Sequence, residues 1–337
     1  MRSQNQATRR SGGKALGKRT PRPRLAYRTR GGALFAGPAE VVLTSPLMKR
    51  YRRKIRLIFT SPPFPLNRKK KYGNLEGQAY VDWLAGFAPI FRDFLARDGS
   101  VVIEVGNAWE PGRPLMSTLP TQALLAFLDK GKFNLCQQFI CYNPARLPSP
   151  AQWVNVERIR VKDSYTQLLW MSPIDRPKAN NRRVLKQYSP AMKKLFESGA
   201  YNAGKRPSEH HIGKSSFLQN NNGAIPSNVL VLGNTAANDD YQRYCRRLDL
   251  QPHPARMPVR LAEFFIRFLT TPGDLVLDPF AGSNTTGAVA ERLKRRWISI
   301  EVRDDYAAGS RGRFAGASQG TSTVRIRGAR RLVRSKR

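Results

Sequence analysis

The sequence predicts an α/β protein built on a mainly parallel sheet. Three features predict it: short apolar runs suited to strands buried on both faces, helical apolar stripes between them, and one complete strand–loop–helix–strand unit near the C-terminus. The chain has 337 residues, enough for one large domain or two ordinary ones, and no internal repeat.

Residues 1–32 are rich in Arg, Gly, Ser and Pro and lack apolar periodicity; they read as a flexible, disordered basic arm, with order beginning near Ala33. Ile55-Arg56-Leu57-Ile58-Phe59 is a short strand ending against Pro62-Pro63. A basic loop, Arg68-Lys69-Lys70-Lys71, follows. From Glu76 to Arg97 the apolar residues Tyr80, Trp83, Leu84, Phe87, Ile90, Phe91, Phe94 and Leu95 fall at steps of three and four, the period of a helix, and Asp98-Gly99 supplies the stop. Ser100–Val105 then reads as a fully buried strand, residues 119–130 as a helix and Gln167–Met171 as another strand.

Between 172 and 250 the composition turns polar and basic, with Asn180-Asn181-Arg182-Arg183 and Asn220-Asn221-Asn222-Gly223, interrupted by one apolar strand at Asn228–Leu232. This segment reads as an insertion. Regular structure resumes at 258–270, where Leu261, Phe264, Phe265, Phe268 and Leu269 form a helical stripe stopped by Pro272-Gly273.

Composition narrows the function. Lys and Arg number 59 against 23 Asp and Glu, a formal net charge of +36. Residues 1–32 hold ten Lys/Arg and no acid, and the tail 307–337 holds nine and no acid, which leaves the body 33–306 at +17. A polyanion is therefore the expected partner of the body as well as of its ends, and nucleic acid fits better than a membrane surface because no basic amphipathic helix stands out. Cys136, Cys141 and Cys245 form no C-x2-C pair, and His210, His211 and His253 are the only histidines, so neither a disulfide scaffold nor a resident metal is expected. With no apolar run of about 18 residues and no secretory h-region, a soluble protein of a reducing compartment, the cytoplasm, is expected.

Two motifs carry chemistry. At 275–301, a buried strand Leu275-Val276-Leu277 ends in Asp278-Pro279-Phe280-Ala281-Gly282-Ser283-Asn284-Thr285-Thr286-Gly287, a helix follows through Leu293, and a second strand ends in Glu301. Loops at the carboxyl ends of strands are where open α/β sheets bind ligands, and Glu301 is placed to accept hydrogen bonds from a ribose diol. The loop lacks the G-x-G-x-x-G of dinucleotide sites and the lysine of a P-loop, so an adenosine ligand without phosphate fits better, with Asp278 available to a cationic or amino group. The second motif is Thr60-Ser61-Pro62-Pro63-Phe64. Its prolines fix the backbone and remove two N–H donors, leaving carbonyls to accept. A hydroxyl, a fixed carbonyl and an aromatic ring form a cradle for a planar ring bearing an amine.

Ser61-Pro62-Pro63-Phe64 combined with Asp278-Pro279-Phe280 and Gly282-Ser283 closely resembles the amino-group DNA methyltransferases, in particular the cytosine-N4 branch of restriction–modification systems. The catalytic motif precedes the cofactor loop, the beta arrangement of that family. The resemblance covers roughly 27–306. It implies a Rossmann-like S-adenosylmethionine-dependent methyltransferase sheet, with a catalytic part at 33–171, a target-recognition region at 172–250 and a cofactor-binding part at 251–306. It implies Ser61, Pro62, Pro63 and Phe64 as catalytic residues. Cofactor contacts would come from Asp278, Pro279, Phe280, Gly282, Ser283, Thr285 and Glu301, joined by His253, Pro254 and Ala255. DNA contacts would come from Arg68, Lys69, Lys70 and Lys71 and from Arg182 and Arg183.

The implied reaction is site-specific methyl transfer from S-adenosyl-L-methionine to cytosine N4 in double-stranded DNA. The implied setting is a cytoplasmic monomer with a cognate restriction endonuclease and no membrane association. Adenine N6 is the nearest alternative target, disfavoured by the Ser that begins the motif. A decayed methylase that only binds DNA is the alternative of another class. It is motivated by departures from the family pattern: Pro38 stands where an acid is usual in Gly37-Pro38-Ala39, Arg56 where the catalytic strand often begins with an acid, and Ala262 where Pro is frequent.

Overall fold

The computed structural model describes residues 22–64, 75–233 and 239–314. Its strands are β1 (Arg24–Arg28), β2 (Gly32–Ala36), β3 (Ile55–Thr60), β4 (Leu95–Gly106), β5 (Asn134–Tyr142), β6 (Tyr165–Ser172), β7 (Gly204–Lys205), β8 (His211–Ile212), β9 (Val229–Val231), β10 (Leu275–Asp278) and β11 (Arg296–Glu301). Its α-helices are α1 (Ala39–Thr44), α2 (Gly77–Phe94), α3 (Leu119–Gly131), α4 (Pro190–Ser198), α5 (Asp240–Arg247), α6 (Val259–Leu269), α7 (Thr285–Arg292) and α8 (Asp304–Ser310).

Nine of the strands form one sheet in the order β1-β2-β11-β10-β3-β4-β6-β5-β9; β7 and β8 pair separately. β2, β11, β10, β3 and β4 run parallel to one another, β6 is antiparallel to both its neighbours, and β1 is antiparallel to β2. Alternation along the parallel strands feeds two cores. Ile58, Val101, Ile103, Leu277 and Ile298 pack under Phe87 and Phe91 of α2 and Phe127 of α3. On the other face Leu57, Phe59, Val102, Val276 and Trp297 pack against Leu261, Phe265 and Ile266 of α6 and Val289 of α7. Strands apolar on both faces belong in a parallel sheet covered by helices on each side. The strand order reverses at the β10–β3 pair, because one chain segment winds outward from β10 to β11 and the other from β3 to β4. The carboxyl ends of β10 and β3 therefore flank the crevice in which open α/β sheets bind ligands.

Several expectations are corrected. The basic arm does not extend to residue 32: β1 lies within it and β2 begins at Gly32, and β1 sends the buried Tyr27 into the core beside Trp297. At the other end, order runs past 306 through α8 and a 3-10 turn (Arg311–Arg313) to the buried Phe314, whose ring stacks on Trp297 at 5.1 Å. Residues 1–21 and 315–337 lie outside the described residues. α2 stops at Phe94 and β4 starts at once, because Leu95 pairs with Ile55 and Arg56 reaches Asp98. The 172–250 segment is also less separate than its composition suggests. β9 adds a strand parallel to β5, and α5 buries Tyr241 and Cys245 against α8.

Candidate active site

The crevice opens into a cavity of about 730 Å³ that gathers residues from distant parts of the chain. Ser61, Pro62, Pro63 and Phe64 follow β3; Asp278–Ser283 and Thr285 follow β10; Glu301 ends β11; His253 and Ala255–Pro258 precede α6. Pro254 belongs to the same segment as His253 but does not line the cavity.

The loop after β10 is held from within. Asp278 is buried at 3% exposure, and its carboxylate takes the Thr60 hydroxyl at 2.7 Å, the Phe280 N–H at 3.1 Å and the Thr286 hydroxyl. Burial nevertheless pushes its pKa up to about 6. The sequence offered Asp278 to a cationic ligand; its three protein donors make it the knot of the loop. Gly282 has a left-handed backbone, φ +51°, and a Cβ there would come within 3.1 Å of the His253 ring. His253 is set in turn by a bond from its own N–H to the Tyr241 hydroxyl (2.7 Å) and by edge contact with Tyr306. Asn284, fully buried in a left-handed conformation, caps α7 through the Gly287 N–H and donates to the Tyr27 hydroxyl at 3.0 Å. Arg313 clamps the same loop, donating to the Ser283 carbonyl at 2.7 Å and the Ser283 hydroxyl at 2.9 Å.

Glu301 lines the cavity with both oxygens anchored, Oε2 by the Gly282 N–H at 2.7 Å and Oε1 by the Arg303 N–H at 2.9 Å. Burial pushes its pKa up to about 7. A carboxylate oxygen holding one donor retains capacity for another, so Glu301 still presents acceptors to a ligand. Tyr80 of α2 lines the cavity at 1% exposure, and its hydroxyl has no hydrogen-bond partner among the described residues.

At the Ser-Pro-Pro-Phe motif the Ser61 hydroxyl donates to Glu104, a buried carboxylate near the end of β4 that also takes the Thr166 hydroxyl at 2.8 Å. Burial raises the Glu104 pKa. Phe64 lies against Gly106, where an added Cβ would meet the ring at 2.6 Å. Glu104 was missed in the sequence, although a lone acid inside Ser100–Val105 was its signal. Arg146, Asn143 and Thr166, from the β5–β6 end of the sheet, complete the cavity wall beside it.

The departures from the family pattern have local explanations. Pro38 occupies the N-cap of α1, and Glu40, in the first turn of that helix, supplies a carboxylate to the cavity wall. Arg56 pairs with Asp98 and Asp274 at the amino end of the sheet, away from the crevice, and Ala262 is a fully buried core residue of α6. Arg183 is not at the crevice either. It donates to the Arg267 and Thr270 carbonyls at the C-terminus of α6, which leads into the amino end of β10, and Arg182 shares its 3-10 turn, so both sit at the end of the sheet opposite the crevice. Arg68, Lys69, Lys70 and Lys71 lie outside the described residues.

An open α/β sheet with one inserted antiparallel strand, an anchored acid at the end of β11 and a Ser-Pro-Pro-Phe cradle across the switch point defines a methyltransferase. The chain belongs to the DNA methylase family, whose sequence model matches residues 55–311, and its substrate is DNA. It is 45% identical to the type II methyltransferase M.PvuII of Proteus hauseri over 292 residues, 86% of this chain and 85% of that protein. It is also similar to the solved PvuII DNA methyltransferase (cytosine-N4-specific), with a TM-score of 0.70 at 37% identity over 90% of this chain and 92% of that one. The fold is shared with the Thermus thermophilus protein TTHA0409 solved in complex with S-adenosyl-L-methionine, with a TM-score of 0.51 at 21% identity over 85% and 94% of the two chains. Among the described residues no helix is long and apolar enough to cross a membrane.

Proposed function

We propose that this protein transfers a methyl group from S-adenosyl-L-methionine to the N4 amine of cytosine in double-stranded DNA, as the modification enzyme of a restriction–modification pair. The observation that carries the reading is the Ser61 hydroxyl aimed onto the buried Glu104, with Pro62 beside it in the cavity wall and the Asp278–Ser283 loop across the switch point.

The cavity fits the cofactor. Its volume lies within the usual range for small-molecule sites, roughly 300–1,000 Å³. Glu301 offers carboxylate lone pairs to a ribose diol, Gly282 brings backbone close, and the Tyr80 hydroxyl is a buried donor waiting for an acceptor. Bound there, the cofactor supplies an electrophilic methyl on a sulfonium. Asp278, Pro279, Phe280, Ser283, Thr285 and the His253–Ala255 segment shape the walls that hold it.

A cytosine amine is a poor nucleophile because its lone pair is delocalised into the ring. Ser61 Oγ and the Pro62 carbonyl, accepting its two N–H bonds, draw them out of conjugation and aim the lone pair at the methyl. Phe64 and Pro63 hold the ring plane. As the amine becomes methylated it must lose a proton. Ser61 Oγ takes that proton while its own passes to Glu104, whose burial-raised pKa makes it a better acceptor than an exposed carboxylate. Alignment of this kind is worth roughly 7–11 kcal/mol in well-oriented systems. A base stacked in a duplex cannot reach the cavity, so the target is flipped out at a cost of a few kcal/mol. Phosphate contacts from Arg68, Lys69, Lys70 and Lys71 and groove contacts from the 185–227 part of the insertion offset that cost. The protein acts as a cytoplasmic monomer that modifies one strand at a time, protecting the site read by a cognate endonuclease.

The test is incubation of the protein with unmethylated DNA and methyl-labelled S-adenosylmethionine, followed by nucleoside digestion and mass spectrometry. N4-methylcytosine, lost in Ser61→Ala, is the expected result. N6-methyladenine would overturn the base assignment, and DNA binding without any methylated base would overturn the activity.

A further inference from the structure

We infer that Arg146 reads the target base, its guanidinium donating to the N3 and O2 acceptors of a cytosine whose amine lies against Ser61 and Pro62, and so makes the cavity select cytosine over adenine. The inference rests on the cytosine-N4 reading and deepens it.

Arg146 lines the cavity on the side of Ser61 and Glu104, close enough to Glu104 for its charge to favour the carboxylate. It stands in a turn just beyond β5 whose backbone is fixed on several sides. The Asn143 side chain takes the Ala145 N–H at 3.1 Å, the Asn143 carbonyl takes the Arg146 N–H at 3.2 Å, and Lys162 Nζ donates to the Pro144 carbonyl at 2.9 Å. The guanidinium is fixed as well. Nη1 donates to the Tyr165 carbonyl at 3.2 Å and Nη2 lies 3.9 Å from Asp163, which is itself buried and tied to Asn107 at 2.7 Å. A guanidinium has five N–H donors in a rigid planar fork, so these two contacts orient it and leave donors for a ligand.

The two candidate bases differ at the edge such a fork would meet. Cytosine presents, in order, an amine donor, the N3 acceptor and the O2 acceptor. Adenine presents an amine, the N1 acceptor and a C–H. With the amine held by Ser61 and Pro62, a fork beyond it finds two acceptors on cytosine and only one on adenine. A site built to donate to an oxygen rejects the analogue that lacks it, because its own donor is left buried and unpaired.

The test uses duplexes carrying at the target position either cytosine or a 2-aminopyridin-5-yl C-nucleoside, which keeps the amine and the ring nitrogen and lacks O2. The wild-type protein is expected to favour cytosine in kcat/KM by a further factor on the order of 10–100, the range of one bidentate base contact. In Arg146→Met that factor disappears, the loss on the analogue being smaller than on cytosine because the analogue keeps only the N3 contact, and Arg146→Lys, which keeps the charge without the fork, retains only part of it. Calorimetric binding of S-adenosylmethionine checks that each variant is folded. A cytosine-to-analogue ratio unchanged in both variants overturns the inference. So does an equal loss on both bases with the acid limb of the pH–rate profile displaced, since Arg146 would then act only by keeping Glu104 ionised. Failure of the underlying reading looks different: the wild-type protein itself would make no N4-methylcytosine.

Discussion

The Thr60 hydroxyl donates to the Asp278 carboxylate at 2.7 Å, joining the last residue of β3 to the last residue of β10 across the point where the sheet reverses. Thr60→Val keeps the shape and removes that donor from a buried carboxylate. We expect a loss of about 1–3 kcal/mol of stability. Thermal unfolding and calorimetric titration with S-adenosylmethionine check it, and weaker cofactor binding should accompany the lower Tm.

Ser61→Ala and Glu104→Gln should each lower kcat on the order of 10²–10⁴-fold, the range for a positioned acid–base group, while cofactor affinity holds. In the wild-type protein the rate should fall as pH drops through the raised Glu104 pKa, because the protonated carboxyl can no longer accept the proton from Ser61. Single-turnover rates of Glu104→Gln should lack that limb.

With Glu301 holding the ribose as proposed, it should set the pH dependence of cofactor binding. Its pKa is pushed up to about 7, and a ribose diol donating to it prefers the ionised form. Binding should therefore lower that pKa, release a fraction of a proton near neutrality and weaken as pH falls below about 7. Calorimetry in buffers of different ionisation enthalpy measures the proton directly. The linked effect on stability has the opposite sense: a carboxyl whose folded pKa exceeds its unfolded one favours the folded state more at pH 5 than at pH 8.

Arg313→Ala removes two bonds from the Ser283 end of the cofactor loop. It should raise the S-adenosylmethionine Kd about tenfold or more, consistent with roughly 1.5–3 kcal/mol for hydrogen bonds from a charged donor. Tyr80→Phe should also weaken cofactor binding, yet leave Tm unchanged or higher, because its buried hydroxyl finds no partner among the described residues. Paired melts with and without cofactor separate the two behaviours.

The two motifs were legible because each is a continuous stretch whose prolines and glycine dictate backbone shape wherever they occur. The parallel sheet was legible because strands such as Leu275–Asp278 are apolar on both faces. What escaped depends on contacts between distant residues. Tyr27 lies in a segment that composition marks as an arm, and its role comes from Asn284 and Ser310, more than 250 positions away. Arg313 looked like one more cation of the basic tail. Arg183 looked like a DNA contact and instead caps α6. Tyr80 fits a helical core stripe so well that nothing in the spacing distinguishes its hydroxyl.

The rings of Tyr27 and Phe314 lie 6.0 Å apart, edge to face, so the two ends of the described chain meet beside the cofactor loop. The segments carrying the Ser-Pro-Pro-Phe motif and the Asp278 loop touch through the β10–β3 pair and owe nothing to which is synthesised first. Joining the ends with a short linker and reopening the chain among the exposed residues 219–222 would put the Asp278 loop ahead of the Ser-Pro-Pro-Phe motif. Every hydrogen bond of the crevice described above would keep its partners, since the order of the two motifs along the chain is only a matter of where a closed loop of sequence is cut.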